Sequence, residues 1–222
     1  MRVPRSGAPM SDDLVFYTNP MSRGRIVRWM LEEVGAPYHT EILGYGSSMK
    51  APAYRAINPM GKVPALRHGE TVVTECPAIL AYLADAFPQA GLAPEPSHHD
   101  RGPYYRWLFF CAGPLEAAVT NGVLKVSVPD DPRMQGMVGY GSLETALDTL
   151  EGAVSGVEFV AGDRFSAADL YVAAHLGWGM QFGTIPKRPA FEAYAGRHLA
   201  REAAARARAI DDALLAEAQA AS

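Results

Sequence analysis

Asn58-Pro59-Met60-Gly61-Lys62-Val63-Pro64-Ala65-Leu66, followed downstream by Glu75-Cys76-Pro77-Ala78-Ile79, is the stretch of this chain whose reading decides the fold. A proline nitrogen cannot donate to a sheet ladder, so Val63-Pro64 on the doorstep of an apolar strand is expected at an edge. A cis bond there would leave the Val63 backbone free to pair with a peptide-like ligand. Downstream, an acidic and a small residue precede Pro77 and an apolar-periodic run through Ile79, Leu80, Leu83 and Phe87. Proline is well placed in the first turn of a helix, whose unpaired N–H groups and positive dipole end attract a carboxylate.

Outward from this stretch the pattern is regular. Leu14 to Thr18 reads as a buried strand closed by Asn19-Pro20. A helix follows with Ser22 as its N-cap and Ile26, Val27, Met30, Leu31 and Val34 on one face, ended by Gly35-Ala36-Pro37. Tyr38 to Ile42 forms a second strand, and the loop from Leu43 to Ile57 is irregular except for a turn of helix before Asn58. Val63 to Arg67 and Thr71 to Val73 make a hairpin around His68-Gly69-Glu70, and a helix from Pro77 to Ala86 completes the unit. The order βαβ then ββα is that of a thioredoxin-like α/β domain.

Residues 13–88 are therefore expected to form this domain, after a disordered leader at residues 1–12 and before a Pro- and Gly-rich linker at residues 89–100. Residues 101–222 read as an all-α helical domain, with helices at 104–119, 137–150, 167–180 and 192–218. Ser166-Ala167-Ala168-Asp169 is an acidic variant of a capping box at the start of the third of these helices.

The 222 residues are 49% apolar and carry a net charge of −4, with acids and bases interspersed. Such a chain lacks the basic field that nucleic acid requires. The longest apolar stretch, Leu170 to Met180, is too short to span a membrane. Cys76 and Cys111 show no CxxC spacing, which argues against a disulfide scaffold, a zinc site and a dithiol motif, and fits a reducing cytoplasm. His98-His99-Asp100 has metal-ligating side chains but no helix or strand to converge them, so no metal is expected.

These pieces resemble the glutathione transferase family, and bacterial serine-type members in particular, from about Leu14 to about Tyr194. The resemblance implies a thioredoxin-like domain followed by an all-helical one, a homodimer, and glutathione as co-substrate. It places glutathione along Val63 and Pro64, with its γ-glutamyl end held at Glu75-Cys76, where the family has Glu-Ser. A thiol is a much weaker donor than the hydroxyl it replaces. Arg23, Lys50 and Lys62 become candidates for ligand anions. A run similar to the family's GDxxSxAD, Gly162 to Asp169, serves folding rather than chemistry.

The implied chemistry is lowering a thiol pKa from about 8.5 toward neutrality, a task one donor to the sulfur at a helix N-terminus can meet. Ser22 matches the catalytic serine of the serine-type classes, though its hydroxyl can equally serve only as a cap. Asn19, which can donate through its amide, is the runner-up, and an Asn-Pro turn is its structural alternative. Tyr104 and Trp107, at i, i+3 spacing, are the candidate lining for a small-molecule electrophile pocket. Two other functions stay open: a non-catalytic interaction or regulatory protein of the same fold, and a glutathione-dependent disulfide reductase using the ligand's own sulfur.

Overall fold

The structure, a computed structural model, describes residues 14–220; the leader expected at residues 1–12 lies outside the described residues. Strand β1 (Leu14–Thr18) is buried, with Leu14, Phe16 and Thr18 inaccessible to solvent. Helix α1 (Gly24–Val34) follows and buries Ile26, Val27, Met30 and Leu31. It ends where Gly35 takes a φ of 71° and its N–H returns to the Leu31 carbonyl, a left-handed stop that glycine adopts without steric cost. β2 (His39–Ile42) runs parallel to β1.

A short 3₁₀ turn at Ser48–Lys50 and the one-turn helix α2 (Pro52–Arg55) occupy the loop before Asn58. β3 (Ala65–His68) and β4 (Thr71–Thr74) form the expected hairpin, and α3 (Cys76–Ala86) follows. The sheet order is β2-β1-β3-β4, with β3 antiparallel to both of its neighbours. This is the thioredoxin-like arrangement, with one difference from expectation. Val63-Pro64 leads into an interior strand rather than lying on an edge, and the ladder begins only at Ala65.

The helical part contains α4 (Arg101–Phe110), a π turn (Cys111–Leu115) and α5 (Glu116–Leu124) as one continuous run. Pro114 lies inside the π turn, where the missing amide proton is tolerated because the helix has already widened. Among the described residues this run, Arg101–Leu124, is the one helix long and apolar enough to cross a membrane. Tyr104, Trp107, Leu108, Cys111, Leu115 and Ala118 along it are buried. The helix expected at 137–150 is two, α6 (Pro132–Met137) and α7 (Leu143–Val154), because Gly141 turns left-handed and the Ser142 hydroxyl caps α7 through the Thr145 amide. α8 (Ala167–Phe182) stands as expected, whereas 192–218 is broken at Ala200-Arg201 into α9 (Pro189–Leu199) and α10 (Glu202–Ala220).

The chain divides into two compact units, one taking the described residues up to Leu83 together with those from Ala207, the other Ala84–Arg206. The C-terminal part of α10 therefore belongs with the α/β unit, where the Arg28 side chain donates to Asp211 at 2.8 Å. Residues 89–100, read as a linker, belong to the helical unit: Leu92 is buried and its carbonyl accepts from the Ala167 amide at 2.8 Å.

Asp169 organises the helical unit. It is fully buried, and its carboxylate accepts from the Val160 amide (2.7 Å), the Tyr194 hydroxyl (2.6 Å) and both the amide and the hydroxyl of Ser166 (2.8 Å each). Burial pushes the Asp169 carboxyl upward, while these hydrogen bonds pull it back down. Replacing Asp169 by Ala strands four donors, three of them buried, and should lower the unfolding free energy, read from a urea titration, by about 3–5 kcal/mol. Tyr194→Phe, which removes one of them, should cost about 1.5–3 kcal/mol in the same urea titration.

Candidate functional site

The turn between β1 and α1 is fixed by side chains bonding to backbone. Asn19 Nδ2 donates to the Leu43 carbonyl at 2.8 Å, and Asn19 Oδ1 accepts from the Met21 amide at 2.9 Å. The second Nδ2 proton of Asn19 has no partner among the described residues. Ser22 is buried; its hydroxyl donates to the Asn19 carbonyl at 2.6 Å and accepts from the Gly24 amide at 2.9 Å. Ser22 thus satisfies one first-turn amide, as a cap would, although α1 begins two residues later, at Gly24.

Gly24 is required by close approach, because a Cβ there would collide with the Thr18 hydroxyl and press on Ser22 Oγ. Arg25 lies across the turn, with Nε donating to the Pro20 carbonyl at 2.6 Å and Nη2 paired with Asp212 at 2.7 Å. Its charge is therefore spent on α10, while Arg23 is exposed at the start of α1.

Val63 leaves the ladder two residues before β3, and its peptide bond to Pro64 is cis. Among the described residues its amide and carbonyl make no hydrogen bond. Its side chain packs on the buried group Met49, Tyr54 and Ala65. The preceding carbonyl, of Lys62, is held by the Tyr54 hydroxyl at 2.6 Å and by Asn58 Nδ2 at 2.8 Å. Burial pushes the Tyr54 phenol up to about 12, so it remains a donor at neutral pH. Lys50 Nζ donates to the Gly61 carbonyl at 2.6 Å and reaches that of Met60 at 3.4 Å. Lys50 therefore braces the loop, and the exposed Lys62 ammonium has no partner among the described residues.

Across the hairpin, β4 ends at Thr74 and the chain turns sharply at Glu75, which takes a φ of 68°. A left-handed conformation is uncommon for a residue with a Cβ, and such strained positions concentrate at functional sites. The Glu75 side chain is exposed and its carbonyl accepts from the Ile79 amide, starting α3. Cys76, 5% exposed, points its thiol at the Arg23 carbonyl 3.6 Å away. That contact brings the first turn of α3 against the start of α1 and joins Cys76 to Arg23, next to the turn that holds Asn19 and Ser22; Glu75 precedes Cys76 with its side chain exposed.

Tyr104 and Trp107 do not line an open face. Both are buried in the helical unit, at 0% and 5% exposure, and the Tyr104 hydroxyl has no partner among the described residues. The exposed aromatics of α4 are Tyr105 and Phe109, because the apolar i, i+3 face turns to the core. Tyr54, Asn58 and Gly24 hold the loop before Val63 and the β1–α1 turn in place, a role that sequence reasoning missed. Nothing in the sequence pairs Tyr54 with a carbonyl eight positions on, though Asn58 lies within the stretch that decides the fold.

A thioredoxin-like unit joined in sequence to an all-helical unit is the glutathione S-transferase fold. Residues 21–86 match the family model for the glutathione S-transferase N-terminal domain, and residues 140–202 the one for its C-terminal domain. The chain is similar to the glutathione S-transferase GST-4.5 of Xanthomonas campestris, with 26% identity over 83% of this chain and 92% of that one. The solved glutathione transferase of Methylococcus capsulatus is 30% identical, with a TM-score of 0.73 over 90% of this chain and 98% of that one. A sphingomonad glutathione S-transferase solved with glutathione is 28% identical, with a TM-score of 0.72 over 89% and 98%. The chain belongs to the glutathione S-transferase family, as a glutathione S-transferase-like transferase.

Tyr54→Phe leaves Asn58 as the only side chain on the Lys62 carbonyl and should cost about 1 kcal/mol of stability. Gly24→Ala should cost about 1–3 kcal/mol, since the added methyl must displace the buried Thr18 side chain. A Gly24→Ala protein with an unchanged urea midpoint would show that the turn has room to spare.

Proposed function

We propose that this protein binds glutathione along Val63, activates it as the thiolate and transfers it to small apolar electrophiles, in the cytoplasm and as a homodimer. The observation that carries this reading is the Val63 amide and carbonyl, unpaired where the chain approaches β3. The backbone of the ligand's cysteinyl residue pairs with them. The γ-glutamyl carboxylate meets the first-turn amides of α3 beside Cys76, and the Glu75 carboxylate receives the ammonium. Lys62 faces the glycine carboxylate, with Lys50 holding the loop, and Arg23 adds positive charge where the sulfur comes to lie.

The thiol proton passes to solvent, and the thiolate lone pair forms the new C–S bond. In a substitution the leaving group departs with its bonding electrons; in an addition the π pair moves to the acceptor's far atom, which takes a proton from solvent. Two groups compete to stabilise the thiolate. The Ser22 proton is already given to the Asn19 carbonyl at 2.6 Å, so Ser22 must break that bond to donate to sulfur. Asn19 keeps one N–H in hand while its other bonds hold its amide in place. This geometry favours Asn19 as donor, with Ser22 fixing the turn.

Calorimetric titration with reduced glutathione tests the site. Glu75→Ala should weaken binding roughly tenfold or more, the weight of a lost hydrogen bond to a charged group. Asn19→Ala should raise the pKa of the bound thiol by about one to two units, read from thiolate absorbance, whereas Ser22→Ala should mainly lower stability by about 1 kcal/mol. The opposite pattern returns the donor role to Ser22.

Cys76 supports a second reading, a non-catalytic interaction or regulatory protein of the glutathione transferase fold, since its nearly buried thiol already faces the Arg23 carbonyl. Cys76→Ser should tighten glutathione by about 1 kcal/mol if the missing hydroxyl limits affinity. Absence of saturable glutathione binding in both proteins would favour the non-catalytic reading. Turnover of a glutathione mixed disulfide without conjugation would favour the reductase.

A further inference from the structure

His98, His99 and Asp100 close the segment that leads into α4. Sequence gives adjacent imidazoles no reason to converge, because neighbouring side chains on an extended strand point to opposite sides. Here the chain turns instead: the His98 amide bonds to the Glu95 carbonyl at 2.9 Å and the Arg101 amide to the His98 carbonyl at 3.0 Å. The two rings come to 4.3 Å at an interplanar angle of 33°. Both reach one carboxylate, with His98 Nδ1 3.3 Å from Asp100 Oδ2 and His99 Nε2 3.2 Å from Asp100 Oδ1.

One ligating atom from each of the three residues lies within 4.8 Å of the others, and the two nitrogen–oxygen separations are close to what a small ion needs. A tetrahedral ion with bonds of about 2.0–2.1 Å has ligand-to-ligand edges of about 3.3–3.4 Å. Two imidazoles and a carboxylate are the donor set of zinc, nickel or copper, whereas calcium and magnesium favour oxygen alone. The His98 Nδ1 position points the same way. It faces the Asp100 amide at 3.3 Å and the Asp100 carboxylate at 3.3 Å, a donor and an acceptor at once. A cation between Nδ1 and Oδ2 would take the single Nδ1 lone pair from the Asp100 amide and relieve the nitrogen's approach to the carboxylate oxygen.

The surroundings leave the carboxylate available. Arg101, next in sequence, is committed to Asp85 and to the Pro94 carbonyl at 2.7 Å each. Among the described residues the only ion-pair partners of Asp100 are the two histidines. Gly162, at a φ of 74°, faces it, and a Cβ there would come within 2.9 Å of Asp100 Oδ2. The cluster opens into a recess of about 600 Å³ that Glu95, Asp163 and Arg164 also line, with room for waters to complete a coordination shell.

We propose that His98, His99 and Asp100 bind one divalent transition-metal ion of the zinc, nickel or copper type at the start of α4, a site sharing no residue with the Asn19–Arg25 turn. Titrating zinc chloride and, separately, nickel chloride into the tag-free full chain in a calorimeter tests it. The wild type should take up one ion saturably. His98→Gln and Asp100→Asn should each weaken uptake roughly tenfold or more, and the His98→Gln/His99→Gln pair should abolish it, with magnesium chloride inert throughout. Uptake of the same ion by wild type and double variant alike, or no saturable uptake by wild type, overturns the proposal. His99→Gln alone, at a side chain 83% exposed, keeps the test decisive should the pair disturb folding.

Discussion

The buried carboxylate of Asp169 is the interaction on which the helical unit depends. A charge placed at zero solvent exposure is stable only if its lone pairs are met, and four donors from three separate places meet them. Ser166 starts α8, Val160 belongs to the loop before it, and Tyr194 lies on α9. One side chain thereby sets where α8 begins and how α9 lies along it. Because α4 and α9 both pack on α8, an error at this carboxylate propagates through the unit.

The α/β unit uses a different device, in which side chains hold backbone carbonyls so that other backbone groups stay free. Tyr54 and Asn58 converge on the Lys62 carbonyl, and Lys50 takes that of Gly61. The Val63 peptide groups next along the chain are thus held in place without being used. The same economy operates at the first turn, where Ser22 and Asn19 bond to the chain around them and leave one Asn19 proton over. A ligand backbone meeting such groups loses little to reorganisation, because the loop is already ordered.

The α/β unit also carries a buried ion pair that its own local sequence does not foreshadow. Arg28 and Asp211 are each 1% exposed and 2.8 Å apart, and Arg28 further donates to Tyr38 and Thr40 and lies over the Phe16 ring. One guanidinium nitrogen and one carboxylate oxygen of the pair have no partner among the described residues. Burial pushes the Asp211 carboxyl upward against the pull of Arg28. A pair so imperfectly satisfied adds little net stability, because desolvation offsets its attraction, yet losing either partner would strand the other's buried charge. It fixes which part of α10 returns to the sheet.

The local sequence determined what depends on near neighbours. The β1 strand, the Gly35 stop, the β3–β4 hairpin around Gly69, the capping box at Ser166 and the placement of Glu75-Cys76 at a helix start all follow from propensities and spacings within a few residues. So did the family resemblance. Only the tertiary structure decided the rest, for reasons of packing and of long-range polar satisfaction. It made β3 interior although proline precedes it, because Pro64 lies just outside the ladder. It turned Tyr104 and Trp107 inward because α4 packs on α8 with that face. It spent the Ser22 proton on a carbonyl, and it folded a proline-rich segment so that His98 and His99 meet Asp100. Spacing along a chain reports the direction of a side chain only where the backbone is regular; at turns, the three-dimensional path alone determines which groups face one another.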